Sequence, residues 1–379
     1  MAPASDMTRR HQELADSVLL FPELPPEFAL RAAVALHGVF PFDLAYTAGD
    51  PYLQTVAQIN DRLGLKSNPL RTVSAVNDKA LMREILKGTG VGQVASAEVR
   101  TRADLERFAA ENGFPLVLKP SRGSASRDVH VVPDGSALSA AASRLAPAAG
   151  GGPGGTASWV AEEFLEGREF SVETHSAAGR HQVLAVTEKF TNEHRVEIGH
   201  LVPARITEAE RALLTAETRS VLTALGVEEG PGHTELILTP RGARVVETHT
   251  RPGGDAIVAL IRIAEGYDIH ELTFSWLAGK SGPSPLRHEP QAGGAAIWFL
   301  TAGPGRVTAA GGEEATRASE GVRFASLSAA VGDEVRIARN SRERLGEALA
   351  VGDDADSALR RAREAVGRLV VEVEPAGRG

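Results

Sequence analysis

Cysteine is absent from the 379-residue chain, which excludes a disulfide framework, a thiolate metal site and a cysteine nucleophile together. No apolar run approaches the roughly 20 residues needed to cross a bilayer. The stretch Met1 to Leu20 carries Arg9, Arg10, Glu13 and Asp16 and no apolar core, so no signal peptide is expected, and a soluble, cytoplasmic protein is. Excess charge of one sign is also lacking. Lys and Arg number 41 against 49 Asp and Glu, a net charge of −8, which argues against a broad electrostatic grip on nucleic acid or an anionic membrane. Lysine itself is scarce: only Lys66, Lys79, Lys87, Lys119, Lys189 and Lys280 occur. In a chain that otherwise prefers arginine, each lysine needs a reason. Neither familiar nucleotide signature is present, since there is no G-x-x-x-x-G-K-[ST] and no G-x-G-x-x-G after a strand.

What is present is ordinary for a globular chain with a sizeable core, at 42% hydrophobic and 24% charged, and the length suits two or three domains. No internal repeat is visible. A small α/β domain is expected over residues 1–74, from a short strand at Val18 to Phe21, helical patterns at Phe28 to Leu36 and Tyr52 to Leu63, and a closing polar stretch, Lys66 to Pro69. Residues 75–157 and 158–282 alternate helices and strands. Asn77 reads as the N-cap of a helix stopped by Gly88 or Gly90, Phe114 to Leu118 as a buried strand, Leu138 to Leu145 as a helix and Trp159 to Phe164 as a strand. The low-complexity stretch Pro147 to Gly155 lacks a lysine and a clear following helix, so it reads as a flexible surface loop and not a phosphate cradle. After a Pro- and Gly-rich segment, residues 283–379 offer strands at Ala295 to Leu300 and Gly321 to Leu327, a turn at Val331 to Glu334, a helix at Asp356 to Leu369 and a last strand at Val370 to Val373.

Three places can carry chemistry. Lys79 falls in the first turn of the helix at Asn77, and Lys119 ends a buried strand and precedes the small, polar run Pro120 to Asp128. An ammonium beside a Gly/Ser loop suits a polyphosphate, supplying a point charge and unhindered donors, although a solvated lysine before a hairpin explains each as well. Next, Glu162 to Val172 passes from an apolar strand through an acidic bend into another strand, which alone reads as a charged turn. The third place is a hairpin around Thr239-Pro240-Arg241-Gly242. A three-residue loop with Gly242 in the left-handed region sets Thr239 against Ala243 and Glu235 against Glu247. Facing carboxylates repel, and a divalent cation such as Mg²⁺ removes the conflict. Period-two alternation adds His249 and Arg251 to that face, and an arginine there can stabilise a transferring phosphoryl group. A two-residue turn would instead split the glutamates onto opposite faces.

In order, the helix lysine, the strand-end lysine with its Gly/Ser loop, the Glu-x-x-Leu bend with a later Glu, and the two-carboxylate hairpin ending in Arg251-Pro252-Gly253-Gly254 resemble the ATP-grasp superfamily. The chain is most similar to its carboxylate–amine ligases, the group that includes L-amino-acid ligases making dipeptides, from about Tyr46 to near Leu369. The resemblance implies an α/β fold: a short, Rossmann-like N-terminal domain lacking one βα unit, a two-lobed ATP-grasp core and an α+β C-terminal subdomain. It assigns Lys79 and Lys119 to ATP phosphates, with Ser121, Ser124 and Ser126 in a loop closing over them. Glu162 and the backbone of Glu163 and Leu165 would hold adenine, and Glu169 the ribose. Glu235 and Glu247 would ligate Mg²⁺, Arg251 would meet the γ-phosphate and the developing acyl phosphate, and His233, Gly253 and Gly254 would face the substrate. The third metal position is usually Asn and is His249 here, which allows a shift toward Mn²⁺. Amide formation from a small carboxylate and amine through an acyl phosphate is the implied reaction. A carrier-protein or peptide acceptor, internal cyclisation, or a nucleotide-binding module with decayed catalysis remain alternatives, and a homodimer is left open.

Overall fold

The computed structural model describes residues 2–3, 13, 18–21, 23–123, 127–145, 158–280 and 286–375. The expected loop at Pro147 to Gly155 lies wholly outside them, as do Ser124 and Ser126. Two units separate, residues 1–74 and residues 75–379. The first holds a parallel pair of two-residue strands, β1 (Ala2–Pro3) and β2 (Leu20–Phe21), with helices Pro26–His37 and Leu53–Leu63. A wider Rossmann-like sheet is not seen among the described residues.

The second unit opens with the helix Lys79–Thr89. Its N-cap is Asp78, not Asn77, because the Asp78 carboxylate accepts from the amides of Ala80 and Leu81; Gly90 ends it in the left-handed region. The stripe Met82 and Leu86 packs on Val221, Leu222 and Val245. A four-stranded antiparallel sheet follows, made of β3 (Ser96–Val99), β4 (Leu116–Pro120), β5 (His130–Val132) and β6 (Trp159–Glu163) in the order β3-β6-β4-β5. Helix Arg102–Asn112 covers it, burying Leu105 and Phe108 on Leu116 and Leu118. The helix expected at Leu138 to Leu145 is α-helical only to Ala142 and finishes as a 3₁₀ turn.

The largest sheet has eight strands: β7 (Arg168–Ala177), β8 (Arg180–Thr191), β9 (Glu197–Val202), β10 (Gly230–Thr239), β11 (Gly242–His249), β12 (Gly294–Leu300), β14 (Val322–Leu327) and β16 (Gly346–Gly352). Their order is β11-β10-β7-β8-β9-β12-β16-β14. Strands β13 (Gly305–Gly311), β15 (Glu334–Val335) and β17 (Val370–Glu374) form a separate three-stranded sheet. Alternation in β7 explains why the large sheet has two unlike faces. Phe170 and Val172 point back, onto Leu214 of helix Glu208–Ala224, while Glu169, Ser171 and Glu173 point forward. Farther along the sheet the back face, through Leu201 and Ala296, packs on helix Ala355–Val366, and the front face, through Val202, Ala295 and Ile297, packs on helix Ile257–Ala264. The polar half of the front face, on β11, β10, β7 and β8, carries the site.

Candidate active site

The hairpin β10–β11 closes with two loop residues, not the three expected: Thr239 pairs with Gly242, leaving Pro240 and Arg241 between them. The Thr239 hydroxyl accepts from the Arg241 amide (3.1 Å) and donates to the Gly242 carbonyl (2.9 Å), tying the shorter turn shut. Such a turn would split the glutamates, but a bulge restores the parity. Leu236 faces Val245, Glu235 faces Glu247, and Val246 is the unpaired extra residue. Glu235 and Glu247 therefore share the front face. Register extends that face across the sheet, setting His233 opposite both Glu173 and His249, Glu235 opposite Ser171, and Glu169 opposite Lys189.

Ammonium groups already sit against both hairpin carboxylates. Lys189 Nζ lies 2.8 Å from Glu235, 3.0 Å from Glu169 and 3.5 Å from Glu197. Oxygens of those three glutamates lie within 4.8 Å of one another. Burial opposes the charge on Lys189, but Glu235, Glu169 and Glu197 outweigh it and hold the ammonium well above its ordinary pKa. Burial likewise opposes charge on Glu235, and Lys189 and His233 hold it ionised, well below the usual carboxylate range. Glu169 is pushed up, by burial first and by the neighbouring Glu235 and Glu197. Glu169 thus stands in this carboxylate cluster. At the other glutamate, Lys79 Nζ is 2.8 Å from Glu247 and donates to the Gly123 carbonyl (3.1 Å), while the Lys79 amide donates to Ser121 O (2.8 Å). The helix lysine is thereby tied to the start of the Gly/Ser loop.

Glu162 does not present an open acceptor to a base. Its buried carboxylate is held by Lys119 Nζ at 2.7 Å and Arg83 Nε at 2.8 Å. Burial would raise its pKa, but Arg83 and Lys119 bring it down to about 2. Lys119 is shifted below its ordinary value by burial, against the pull of Glu162, with Arg83 and Lys79 adding repulsion. Arg83 also donates to the carbonyl of the bulged Val246 (3.3 Å), linking this trio to the hairpin. Beyond it, the Glu163 amide donates to Ala95 O (2.9 Å), and its carboxylate accepts from the Ala95 amide and pairs with Arg241. Any contact of Glu163 with adenine would therefore use its carbonyl. Leu165 is buried at the bend.

His233 is clamped between Glu173 (2.7 Å to Nδ1) and Glu235 (3.1 Å to Nε2). Burial disfavours its charge, yet the two glutamates raise its pKa to about 10, so it is an imidazolium at neutral pH. His249 stacks beside it and places Nε2 3.1 Å from Glu247 Oε1; its Nδ1 is buried without a hydrogen-bond partner among the described residues. Arg251 folds back on the Pro252 carbonyl (2.8 Å) just past β11. A Cβ on Gly253 would come within 3.0 Å of His233 Nδ1 and 3.1 Å of Glu173 Oε2, while one on Gly254 meets nothing within 4 Å. Glycine at 253 lets this loop lie on the His233–Glu173 pair.

Lys189, Glu197, Glu173 and Arg83 were not foreseen. Lys189 was countable among six lysines, and Glu173 continues the polar alternation Glu169-Ser171 of β7; Glu197 and Arg83 carried no local signal. Carboxylate oxygens at Glu235 and Glu247 are the hard donor type that Mg²⁺ takes, while Lys189 and Lys79 relieve the repulsion between them in this structure. His249 places an imidazole beside Glu247, and Lys79 and Lys119 pair with Glu247 and Glu162.

Residues 112–259 match the ATP-grasp domain model, and the fold agrees with that match. The chain carries that domain together with an L-amino acid ligase C-terminal domain 2, matched over residues 298–374. It is 25% identical over 291 residues to the alanine–anticapsin ligase of Bacillus subtilis, an alignment covering 70% of this chain and 61% of the relative. The chain thus spans about three-fifths of that relative's length. The L-amino acid ligase of Bacillus licheniformis superposes with a TM-score of 0.76 at 24% identity, over 92% of this chain and 85% of that one. The biotin carboxylase domain of Hydrogenobacter thermophilus 2-oxoglutarate carboxylase, solved with MgADP, superposes with a TM-score of 0.70 at 16% identity, over 98% of this chain and 84% of that one. No described helix is long and apolar enough to cross a membrane.

Proposed function

We propose that this protein is an ATP-dependent carboxylate–amine ligase that joins amino acids or related small molecules through an acyl phosphate, releasing ADP. The observation that carries the reading is the paired front-face carboxylates Glu235 and Glu247, each with an ammonium 2.8 Å away and Arg251 on the loop that follows. In this reading Lys79 and Lys119 meet the ATP phosphates beneath the Gly/Ser loop from Ser121, and the Glu163–Leu165 backbone takes adenine. A Mg²⁺ or Mn²⁺ ion held by Glu235 and Glu247, with His249 beside them, neutralises phosphate charge when bound. The substrate carboxylate lies on Gly253 and Gly254 and attacks the γ-phosphate in line. Arg251 steadies charge on the transferring phosphoryl group, while the imidazolium of His233, with both ring nitrogens on glutamates, helps keep Glu235 ionised. An amine then attacks the acyl carbonyl and phosphate leaves. The chain's residues position the reactants, offset charge and exclude water; none forms a covalent bond.

The test is an ADP- and phosphate-release screen over pairs of L-amino acids, with mass spectrometry of the products. ADP release that needs both an acid and a free amine, with a matching dipeptide mass, is expected. Nucleotide binding without ADP formation across the panel would reject the ligase reading in favour of a non-catalytic nucleotide-binding module.

A further inference from the structure

Immediately after Gly254 the backbone does something costly. Asp255 (φ 50°) and Ala256 (φ 63°) are consecutive non-glycine residues in the left-handed region; an aspartate tolerates it better than most side chains, but alanine has no preference for it and two in a row is rare. Such a pair persists where surrounding contacts over-determine it. Those contacts come from far along the chain. Arg344 grips Asp255 with both arms of its guanidinium, Nη1 to Oδ2 at 2.8 Å and Nη2 to Oδ1 at 2.7 Å, and His200 Nε2 approaches Oδ2 at 3.4 Å. Arg344 is itself held, its Nε donating to Ser341 O (2.8 Å), Nη1 to Glu197 O (3.4 Å), and its guanidinium lying 3.8 Å from the Phe299 ring centroid. The same 3₁₀ turn, Ser341–Glu343, sends the Ser341 hydroxyl to Glu197 Oε2 at 3.0 Å.

We propose that Arg344 is a positioning residue: by locking Asp255 it holds the left-handed turn that presents Arg251, Gly253 and Gly254, while Ser341 on the same strap fixes Glu197 beside Glu235. The role in turnover rests on the ligase reading; the mechanical role does not. A planar fork suits the task because two parallel bonds fix orientation as well as distance, which a lysine ammonium does not. Nothing in the strap touches the reacting atoms. Its effect passes through the loop.

The test uses hydrogen exchange on the full chain, comparing Arg344→Ala, Arg344→Lys and Asp255→Asn with the parent. Peptides covering residues 250–257 are expected to exchange at least tenfold faster in Arg344→Ala and by an intermediate factor in Arg344→Lys, with β7 and β8 peptides unchanged. Parent-like exchange in that loop overturns the proposal, and so does equal acceleration throughout the sheet, which marks a general structural contact. Should Arg344→Ala fail to fold, Asp255→Asn, which preserves shape and removes the charge, reads the same loop. For any amino-acid pair the parent turns over, kcat should fall at least tenfold with KM for ATP within threefold, and an unchanged kcat likewise overturns it. Exchange needs no substrate, so it decides the proposal even if no pair yields ADP and the ligase reading fails.

Discussion

Lys66, Lys87 and Lys280 lie on the surface, whereas Lys79, Lys119 and Lys189 all end at the site, two of them fully buried. Buried ammonium groups have to be matched, and the match makes sharp predictions. Glu162→Gln leaves Lys119 and Arg83 without their shared counter-ion and is expected to cost about 3–5 kcal/mol in urea unfolding. Its pH signature has a definite sign. The folded carboxyl titrates near 2 against an ordinary 4.5, so its contribution is complete above pH 4.5 and fades as the pH falls toward 2. Acid denaturation curves should therefore fall more steeply over that window in the parent than in Glu162→Gln; identical slopes would contradict the pairing. Arg251→Ala should cut ADP release by 10²-fold or more while leaving ATP affinity, measured by calorimetry, nearly unchanged. His249→Asn should keep or raise Mg²⁺-dependent turnover, because it exchanges an imidazole nitrogen for the oxygen donor that Mg²⁺ prefers; complete loss would assign His249 a separate task.

At the level of elements, the hairpin shows how much of the site could be read in advance. That Glu235 faces Glu247 was expected from a three-residue turn, whereas a two-residue turn and a compensating bulge bring it about. A one-residue bulge is a backbone event with no composition of its own, so Val246 gave no sign of being the extra residue. The helix lysine and strand-end lysine were legible because helix starts and apolar strands leave local marks. Asp255 and Arg344 were not, since their pairing spans 89 positions and depends on sheet order. The bend between β6 and β7 offers a test at this scale. A Cβ on Gly167 would run into the carbonyl of Leu238 on the neighbouring strand, and the residue holds φ +155°. Gly167→Ala should therefore cost about 1–3 kcal/mol, read from the urea midpoint, and weaken ATP binding by shifting the acidic bend. Parent-like values for both would mean that β10 yields without strain.

Across the second unit, one sheet joins what the two family models divide. β9, within the ATP-grasp stretch, pairs with β12, and β12 pairs with β16, both beyond it. Ala295, Ile297, Phe299, Leu349 and Val351 supply much of the cluster that covers Leu184, Val202, Leu260 and Ile261. A chain ending before Gly294 would expose β9 as an apolar edge and remove Ala295, Ile297, Phe299, Leu349 and Val351 from that core. It is expected to lack a cooperative thermal transition and to aggregate; a sharp transition with native-like circular dichroism would refute this.

The shared sheet also sets how such a gene can diversify. A recombination breakpoint near residue 290 would look permissible from the domain boundaries, yet it would unite strands and helices shaped for other neighbours. The compact unit is the whole of residues 75–379. New specificities in this lineage are then expected to arise by point replacement in the loops over the polar half of the sheet, not by exchange of C-terminal modules.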